Sequence, residues 1–449
     1  MNLIDIIKEE GIVGAGGAGF PTHIKLSGKA DVFIVNAAEC EPLIETDKFL
    51  MRSFSGEIVR AAEYIAEALG AKHKFIALKK KYEPEIAELK EAIKERNSSF
   101  ELVMMESFYP AGDEQILVNL ITGKSIPEKG LPLDVGAVVS NVGTVLNVND
   151  ALAGHPVTNK YLSVVGEVQE PIIINAPIGT PIQECIDSAV PKLDSYSIII
   201  GGPMMGKVYN ENHIEGLFVS KTTGNIIVLP KNHYLMECSK KTIPTMVAQA
   251  RSACIQCRMC TDMCPRYLIG HKIRPHMIMR NIYREQRLDD MEEYERVFSE
   301  AINCCDCGIC EMFACPMALS PRKINGFIKQ SILEKGIKPS ANKNPIGSPF
   351  IDYRRIPTER LVARLGLMKY YHKQAKRCLQ INPSKVNIAL KQHIGAPAVS
   401  CVSVGGLVKK GDLIGKAAEG TLSANIHASI DGKIHSMDSN QIVICVEKE

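Results

Sequence analysis

The sequence predicts a multidomain α/β protein: a Rossmann-like parallel sheet in the first 155 residues, followed by two β-rich modules and a helical one. Three observations predict it. Strand-like and helix-like segments alternate through residues 1–150, short β segments with frequent turns fill 155–235, and two cysteine runs lie on an otherwise helical stretch at 240–335. A chain of 449 residues is too long for one ordinary core, and its length alone suggests about three domains.

Taken in order, a short amphipathic helix (Leu3, Ile6, Ile7) runs into the glycine-rich stretch GIVGAGGAGFPTHIKL at 11–26. The apolar strand DVFIVNAA follows, then a helix around 56–70, the strand HKFIALK, a charged helix near 83–97, a strand at 101–105 and a helix after Gly112. Strands alternating with helices imply a mostly parallel sheet. GAVVSNVGTVLNV is read as a strand leading out of this first domain, 1–155. The segments KYLSVVGEV, PIIINAPIGTPI, SIIIGGPMMG and GNIIVLP then suggest a small β-grasp (SLBB-like) module at 156–235. Residues 240–335 form the helical cysteine-bearing domain, and 336–385, opening on the Pro-, Ser- and Asn-rich KPSANKNPIGSPF, read as a linker and helix. Apolar alternation with glycine turns (VGGLVKKGDLIG, IHASIDGKIHSM) predicts an all-β barrel-sandwich hybrid, lipoyl-like, at 386–449.

Composition narrows the function. The formal charge of +3 is spread along the chain, Trp is absent and aromatics are 6%, so neither a basic patch nor a stacking surface for nucleic acid is supplied. No apolar run approaches the roughly 20 residues that span a bilayer. The start, MNLIDIIKEE, lacks the charged region, apolar region and cleavage site of a secretory signal. The expected location is the cytoplasm.

Fifteen cysteines would suit a disulfide framework, but eight fall in two clusters in a chain with no export signal, which argues for metal ligation in a reducing compartment. The first run is Cys254-x2-Cys257-x2-Cys260-x3-Cys264-Pro265. Three thiolates on one tight loop ligate three irons of a cubane, and the cysteine before the proline serves the other cluster. The second run, Cys304-x2-Cys307-x2-Cys310-x4-Cys315-Pro316, is one residue longer before its last cysteine. Zinc knuckles would use CxxC pairs with four ligands each. Two triple runs ending in Cys-Pro predict two [4Fe–4S] clusters instead. Crossed ligation assigns Cys254, Cys257, Cys260 and Cys315 to one and Cys304, Cys307, Cys310 and Cys264 to the other. Cys305 is the expected extra thiol, and most of the six scattered cysteines (Cys40, Cys185, Cys238, Cys378, Cys401 and Cys445) are expected to be small buried hydrophobes.

Glycine-rich loops bind phosphate because backbone N–H groups can approach an anion where no Cβ intrudes. GAGGAG alone is an equally good turn. It is followed, however, by VNAAECEPLIETDKFLM, YPAGDEQILVNLITGKSIP and VSNVGTVLNV. That order resembles the flavin-bearing, NADH-oxidising subunit of respiratory complex I, and more closely the C subunit of the Rnf electron-transport complex. The resemblance implies an FMN held by Gly14, Gly16, Gly17 and Lys25, with Asn36, Glu39 and Glu41 at a strand end, Asn141 matching the family's asparagine before Val-Gly-Thr, and Thr144 near the phosphate. The chain departs from complex I at Ala15, where the flavin-bearing subunit has arginine, and at Gly112-Asp113-Glu114.

In the usual Rnf protein, the segment resembling HIGAPAVSCVSVGGLVKKGDLIG lies at the N-terminus; here it begins at His393. This permuted order, with CIQCRMCTDMCPRYLIGH and CEMFACPMALSPRKIN, resembles the PduS-type cobalamin reductases of propanediol-utilising microcompartments. The resemblance implies NADH as electron donor, a corrin or redox protein as acceptor, and a B12 enzyme or microcompartment shell as partner, with the microcompartment as one setting. No Asp-x-His-x-x-Gly corrin-ligand pattern is present, so a corrin would be met at a surface. Hydride transfer to a flavin needs no general acid or base, and no catalytic side chain is assigned. The rival readings are an Rnf-like protein exchanging electrons with a ferredoxin or other redox partner, and a non-enzymatic relay whose glycine loop is a plain turn.

Overall fold

The computed structural model describes residues 2–447. Its first sheet has four parallel strands in the order β3–β2–β1–β5, with β1 Val32–Asn36, β2 His73–Lys79, β3 Glu101–Met105 and β5 Ala137–Asn141. A two-residue strand, β4 (Phe108–Tyr109), lies outside it. Period-two alternation divides the strand residues between two cores. Phe33, Val35 and Ile76 pack with Ile58 and Ile65 of the helix Ser55–Leu69, while Ile34, Ala77 and Val139 pack with Ile116 and Leu117 of the helix Glu114–Thr122. Both faces are covered, which is why the strands read as continuous apolar runs.

The chain runs β1 to β2 to β3 on one side, then returns to place β5 on the other side of β1. The break in strand order therefore falls between β1 and β5, whose last residues, Asn36 and Asn141, are register partners. Open parallel sheets bind ligands at such a switch point, beyond the carboxyl ends of the strands.

The strand expected to lead out of this domain stops at Asn141 and becomes the helix Val142–Leu152. Asn141 causes the change: its side-chain oxygen accepts from the Gly143 N–H (2.9 Å), an N-cap that outcompetes continued β structure.

The second sheet has six strands in the order β12–β7–β6–β10–β8–β9: β6 Asn159–Gly166, β7 Ile172–Pro177, β8 Tyr196–Ile200, β9 Lys207–Asn210 and β10 Asn225–Pro230. Its edge strand, β12 (Arg377–Gln380), comes from the segment read as linker and helix and pairs parallel with β7. A two-residue strand of the same segment, β11 (Ile356–Pro357), pairs with β4. The segment thus stitches the two α/β modules together. Helices Ile243–Ala253, Pro275–Asn281 and Pro321–Glu334 surround the cysteine loops and share one apolar core around Tyr294, Phe298 and Ile328. Two small antiparallel sheets over 385–445 form the final sandwich, and its inner residues (Ile388, Ile434, Ile444) join the core of the first domain. No helix among the described residues is long and apolar enough to cross a membrane.

Candidate flavin and iron–sulfur site

A cavity of ≈ 290 Å³ lies at the switch point. Gly14, Gly16 and Lys25 line it from the glycine loop, Asn36, Glu39 and Glu41 from the end of β1, and Asn141 and Thr144 from the end of β5. Gly17 stands beside it at φ +110°, where side chains are rarely tolerated, with open space around it. A Cβ on Gly16 would lie 3.2 Å from the Asn141 side chain. The loop is braced from behind: the Ala15 N–H donates to Thr144 Oγ1 (2.9 Å), and the buried Lys160 donates to the Ala15 carbonyl (2.9 Å).

Asn36 Nδ2 donates to the Gly112 carbonyl (2.8 Å), and Asn141 Nδ2 donates to the buried Asp47 carboxylate (2.7 Å). Lys25 forms an ion pair with Glu114 inside the cavity. Burial pushes the carboxyls of Glu39 and Glu41 up, to about 8 and about 7. The Ser140 hydroxyl, which lines the same cavity, is buried without a hydrogen-bond partner. A glycine cradle, a lysine, an orphaned hydroxyl and paired amides suit a group carrying both a phosphate and a polar heterocycle, so these residues fit FMN.

Two thiol-lined hollows lie on the helical domain. Cys254, Cys257, Cys260 and Cys315 surround one; Cys264, Cys304, Cys307 and Cys310 surround the other, with Cys305 also in its wall. The two four-cysteine groupings follow the crossed pattern read from the spacing. Each loop winds in the same way, with left-handed residues at equivalent positions: Gln256 and Arg258 in the first run, Asp306 and Gly308 in the second. Such turns aim successive side chains and N–H groups toward one enclosed point. The extra residue before Cys315 is absorbed by a π-helical turn over Cys310–Ala314. Among the described residues no three His, Cys, Asp or Glu side chains converge as around a single ion; the thiols are spread around a hollow, and the donor set suits a cluster.

The flavin-type cavity and the second hollow share a wall, because Cys307 lines both. The Tyr109 hydroxyl, buried there, donates to the Cys307 carbonyl (2.8 Å). The GGPMMG loop at 201–206 closes the junction: the Met204 N–H donates to Glu41 (2.9 Å), Met205 lines the cavity, and Arg322 donates to the Met204 carbonyl (2.5 Å). Asp47, Tyr109, Met205 and Arg266 lie within stretches quoted from the sequence but receive no role there, and Gly112 and Asp113 stand out only as departures from complex I. Gly112 is required by space, since a Cβ there would sit 2.6 Å from the Ala38 carbonyl. His23 is not among the residues lining the cavity.

Family models match three parts of the chain: the Nuo51 FMN-binding domain at 7–150, the 4Fe-4S dicluster domain at 253–320 and the RnfC barrel sandwich hybrid domain at 364–447. The cobalamin reductases PduS of Citrobacter freundii and Salmonella typhimurium are each 38% identical, over 98% of this chain and 95% of theirs. The chain belongs to the PduS cobalamin reductase family. The C subunit of the proton-translocating ferredoxin:NAD(+) oxidoreductase complex of Clostridium ljungdahlii is 34% identical over 65% of this chain and 61% of its own length. A solved NAD+-reducing [NiFe]-hydrogenase chain aligns with a TM-score of 0.49 at 19% identity, over 75% of this chain and 62% of that one. This PduS-family member is an iron–sulfur flavoprotein oxidoreductase with an electron-transfer role.

Proposed function

We propose that this PduS-family protein takes electrons from NADH through FMN, passes them through two [4Fe–4S] clusters and delivers them to a corrin. When bound, FMN exchanges a hydride at one side and single electrons at the other, and cubane clusters carry the single electrons. Gly14, Gly16, Gly17 and Lys25 would hold the phosphate, Asn141 and Thr144 would fix the loop around it, and Asn36, Glu39 and Glu41 would line the pocket for the ring. Cys264, Cys304, Cys307 and Cys310 hold the cluster nearer the flavin; Cys254, Cys257, Cys260 and Cys315 hold the outer one.

The observation that supports this reading is the shared wall at Cys307: a flavin in the first cavity would lie against a cluster in the second hollow. The outer end of that chain is open: Cys257 is exposed, and Ile255 and Met317 beside it are 62% and 44% exposed. That opening favours a second reading of the acceptor as a redox protein docking at the outer cluster, a ferredoxin among them, as the name of the Clostridium relative suggests. Association with a B12 enzyme in a microcompartment belongs to the same proposal and rests on the kinship with the PduS cobalamin reductases.

Stopped-flow mixing with NADH, following flavin and cluster absorbance with and without cob(III)alamin, tests the order. Flavin should bleach first, clusters next, and corrin reduction should fail in the Cys254→Ser/Cys257→Ser/Cys260→Ser variant. Clusters reduced before the flavin, or corrin reduction untouched in that variant, would refute the route.

A further inference from the structure

A second cavity, ≈ 510 Å³, opens on the opposite side of Glu39 and Glu41 from the glycine loop, and both carboxyls line it too. That volume falls within the range of about 300–1,000 Å³ typical of small-molecule sites. Lys79, the last residue of β2, projects into it from the crest of the sheet. Its side chain is only 2% exposed; Cys40 and Glu39 act on its charge through space, yet among the described residues its ammonium has no hydrogen-bond acceptor and no ion-pair partner in direct contact.

The neighbouring cations are already engaged: Lys48 with Glu45, Arg52 with Glu85, and Lys81 with the Tyr371 hydroxyl. A buried ammonium without a partner is costly unless something supplies a counter-charge. The same cavity holds the converse defect. Glu45, 4% exposed, buries its Oε2 without a donor. One ligand that repairs both must present an anionic acceptor and a hydroxyl or amine donor.

Aromatic rings complete the lining. The Lys79 ammonium lies 6.0 Å from the centroid of the Tyr82 ring, Lys81 lies 4.7 Å from that of Tyr371, and Phe49 and His372 add further faces. A phosphate for Lys79, a sugar hydroxyl for Glu45 and a planar base against the tyrosines together describe a nucleotide.

We infer that this cavity is a second ligand site, which recognises the phosphate ester of a nucleotide through Lys79 and its ribose through Glu45. The chemistry is shared by two sources, a free adenine or nicotinamide nucleotide and the nucleotide loop of a complete corrin. The site stands independently of which compound reduces the flavin.

The test is equilibrium binding to the oxidised, cofactor-loaded full chain, with ligands in matched pairs: AMP against adenosine, and cobalamin against cobinamide, which lacks the nucleotide loop. The wild type should prefer the phosphate-bearing member of one pair by at least about tenfold, the scale of one charge-assisted hydrogen bond. The pair that is discriminated names the source. Lys79→Met should erase the preference, and Lys79→Arg should keep most of it. In Lys79→Met the flavin and iron content should match wild type, and the thermal midpoint should not fall, because an apolar chain replaces an uncompensated buried charge.

Equal affinity within both pairs, or a preference that survives Lys79→Met, would overturn the assignment. So would loss of flavin in Lys79→Met, which would place the lysine in the flavin site instead. Failure of NADH to bleach the flavin, measured on the same preparation, would count against the donor reading alone.

Discussion

Asp113 accepts two hydrogen bonds from the guanidinium of Arg266, at 2.6 and 2.9 Å, in a mostly buried, bidentate pair. The two residues stand 153 apart in sequence and tie the flavin-type cavity to the cysteine loop, since Arg266 follows Cys264-Pro265 directly. Burial alone would raise the Asp113 carboxyl, but the Arg266 charge and the N–H groups of Gln115 and Ile116 hold it below its ordinary range.

Removing one partner of such a pair leaves an uncompensated buried charge, which typically costs about 3–5 kcal/mol. Asp113→Asn should therefore lower the thermal midpoint and loosen the cluster nearest the flavin, read as iron lost on gel filtration. The Asp113→Leu/Arg266→Met double variant should be less destabilised than the Arg266→Met single variant. Additive losses would show that the two side chains act separately.

Cys305 lines the same hollow as Cys264, so the two thiols compete for the fourth position. The crossed assignment gives it to Cys264. Cys305→Ala should keep about eight irons and eight acid-labile sulfides per chain, and Cys264→Ala about four of each. The reverse pattern would transfer the ligand role to Cys305.

Lys25 is paired with Glu114, and in the proposed reading it exchanges that carboxylate for the flavin phosphate. Lys25→Ala should weaken FMN retention at least about tenfold, the loss expected of one charge-assisted contact, with iron content unchanged. Fluorescence titration of released FMN reads the effect. Full retention would reduce the lysine to a surface partner of Glu114.

Glu39 and Glu41 give the flavin-depleted protein a pH signature. Burial raises their carboxyls to about 8 and about 7, above the ordinary 4.5. Between those values the folded chain keeps protons that the unfolded chain has released, so stability is fully present below about pH 4.5 and falls as pH rises toward 8. The thermal midpoint should decline across that window in wild type, and the decline should be shallower in the Glu39→Gln/Glu41→Gln variant. A variant slope equal to that of wild type would remove these carboxyls as its source.

Much of this architecture is legible in the sequence because the chemistry constrains neighbours in the chain. Three of the thiolates that share one cubane sit on one tight loop with two residues between neighbours, so the grouping of Cys254, Cys257 and Cys260 stands out, and Cys-Pro points each last cysteine elsewhere. The strands of the first sheet show as apolar runs buried on both faces. Asn141 reads as mid-strand because valines stand on both sides of it (Val138, Val139, Val142), whereas its own side chain starts a helix. Tyr109, Met205 and Arg266 are invisible for another reason. Each acts on a partner or cavity wall more than 90 residues away in the chain (Tyr109 on Cys307, Met205 in the cavity wall it shares with Cys40, Arg266 on Asp113), and no local pattern encodes such a meeting.

The C-terminal sandwich is anchored on the opposite end of the chain. Lys221, fully buried, donates to the carbonyls of both Gly11 and Asn425 (2.6 and 2.7 Å), Asn425 reaches the Glu9 carbonyl (3.1 Å), and the Ile394 N–H reaches that of Gly19 (3.0 Å). Residues 9–19 and the sandwich are therefore spatial neighbours although they bracket the whole sequence. A circular permutation that moved this module from the head of the gene to its tail would alter the connectivity and leave each of those contacts in place. The different module order that the Rnf resemblance implies is thus compatible with the contacts seen here.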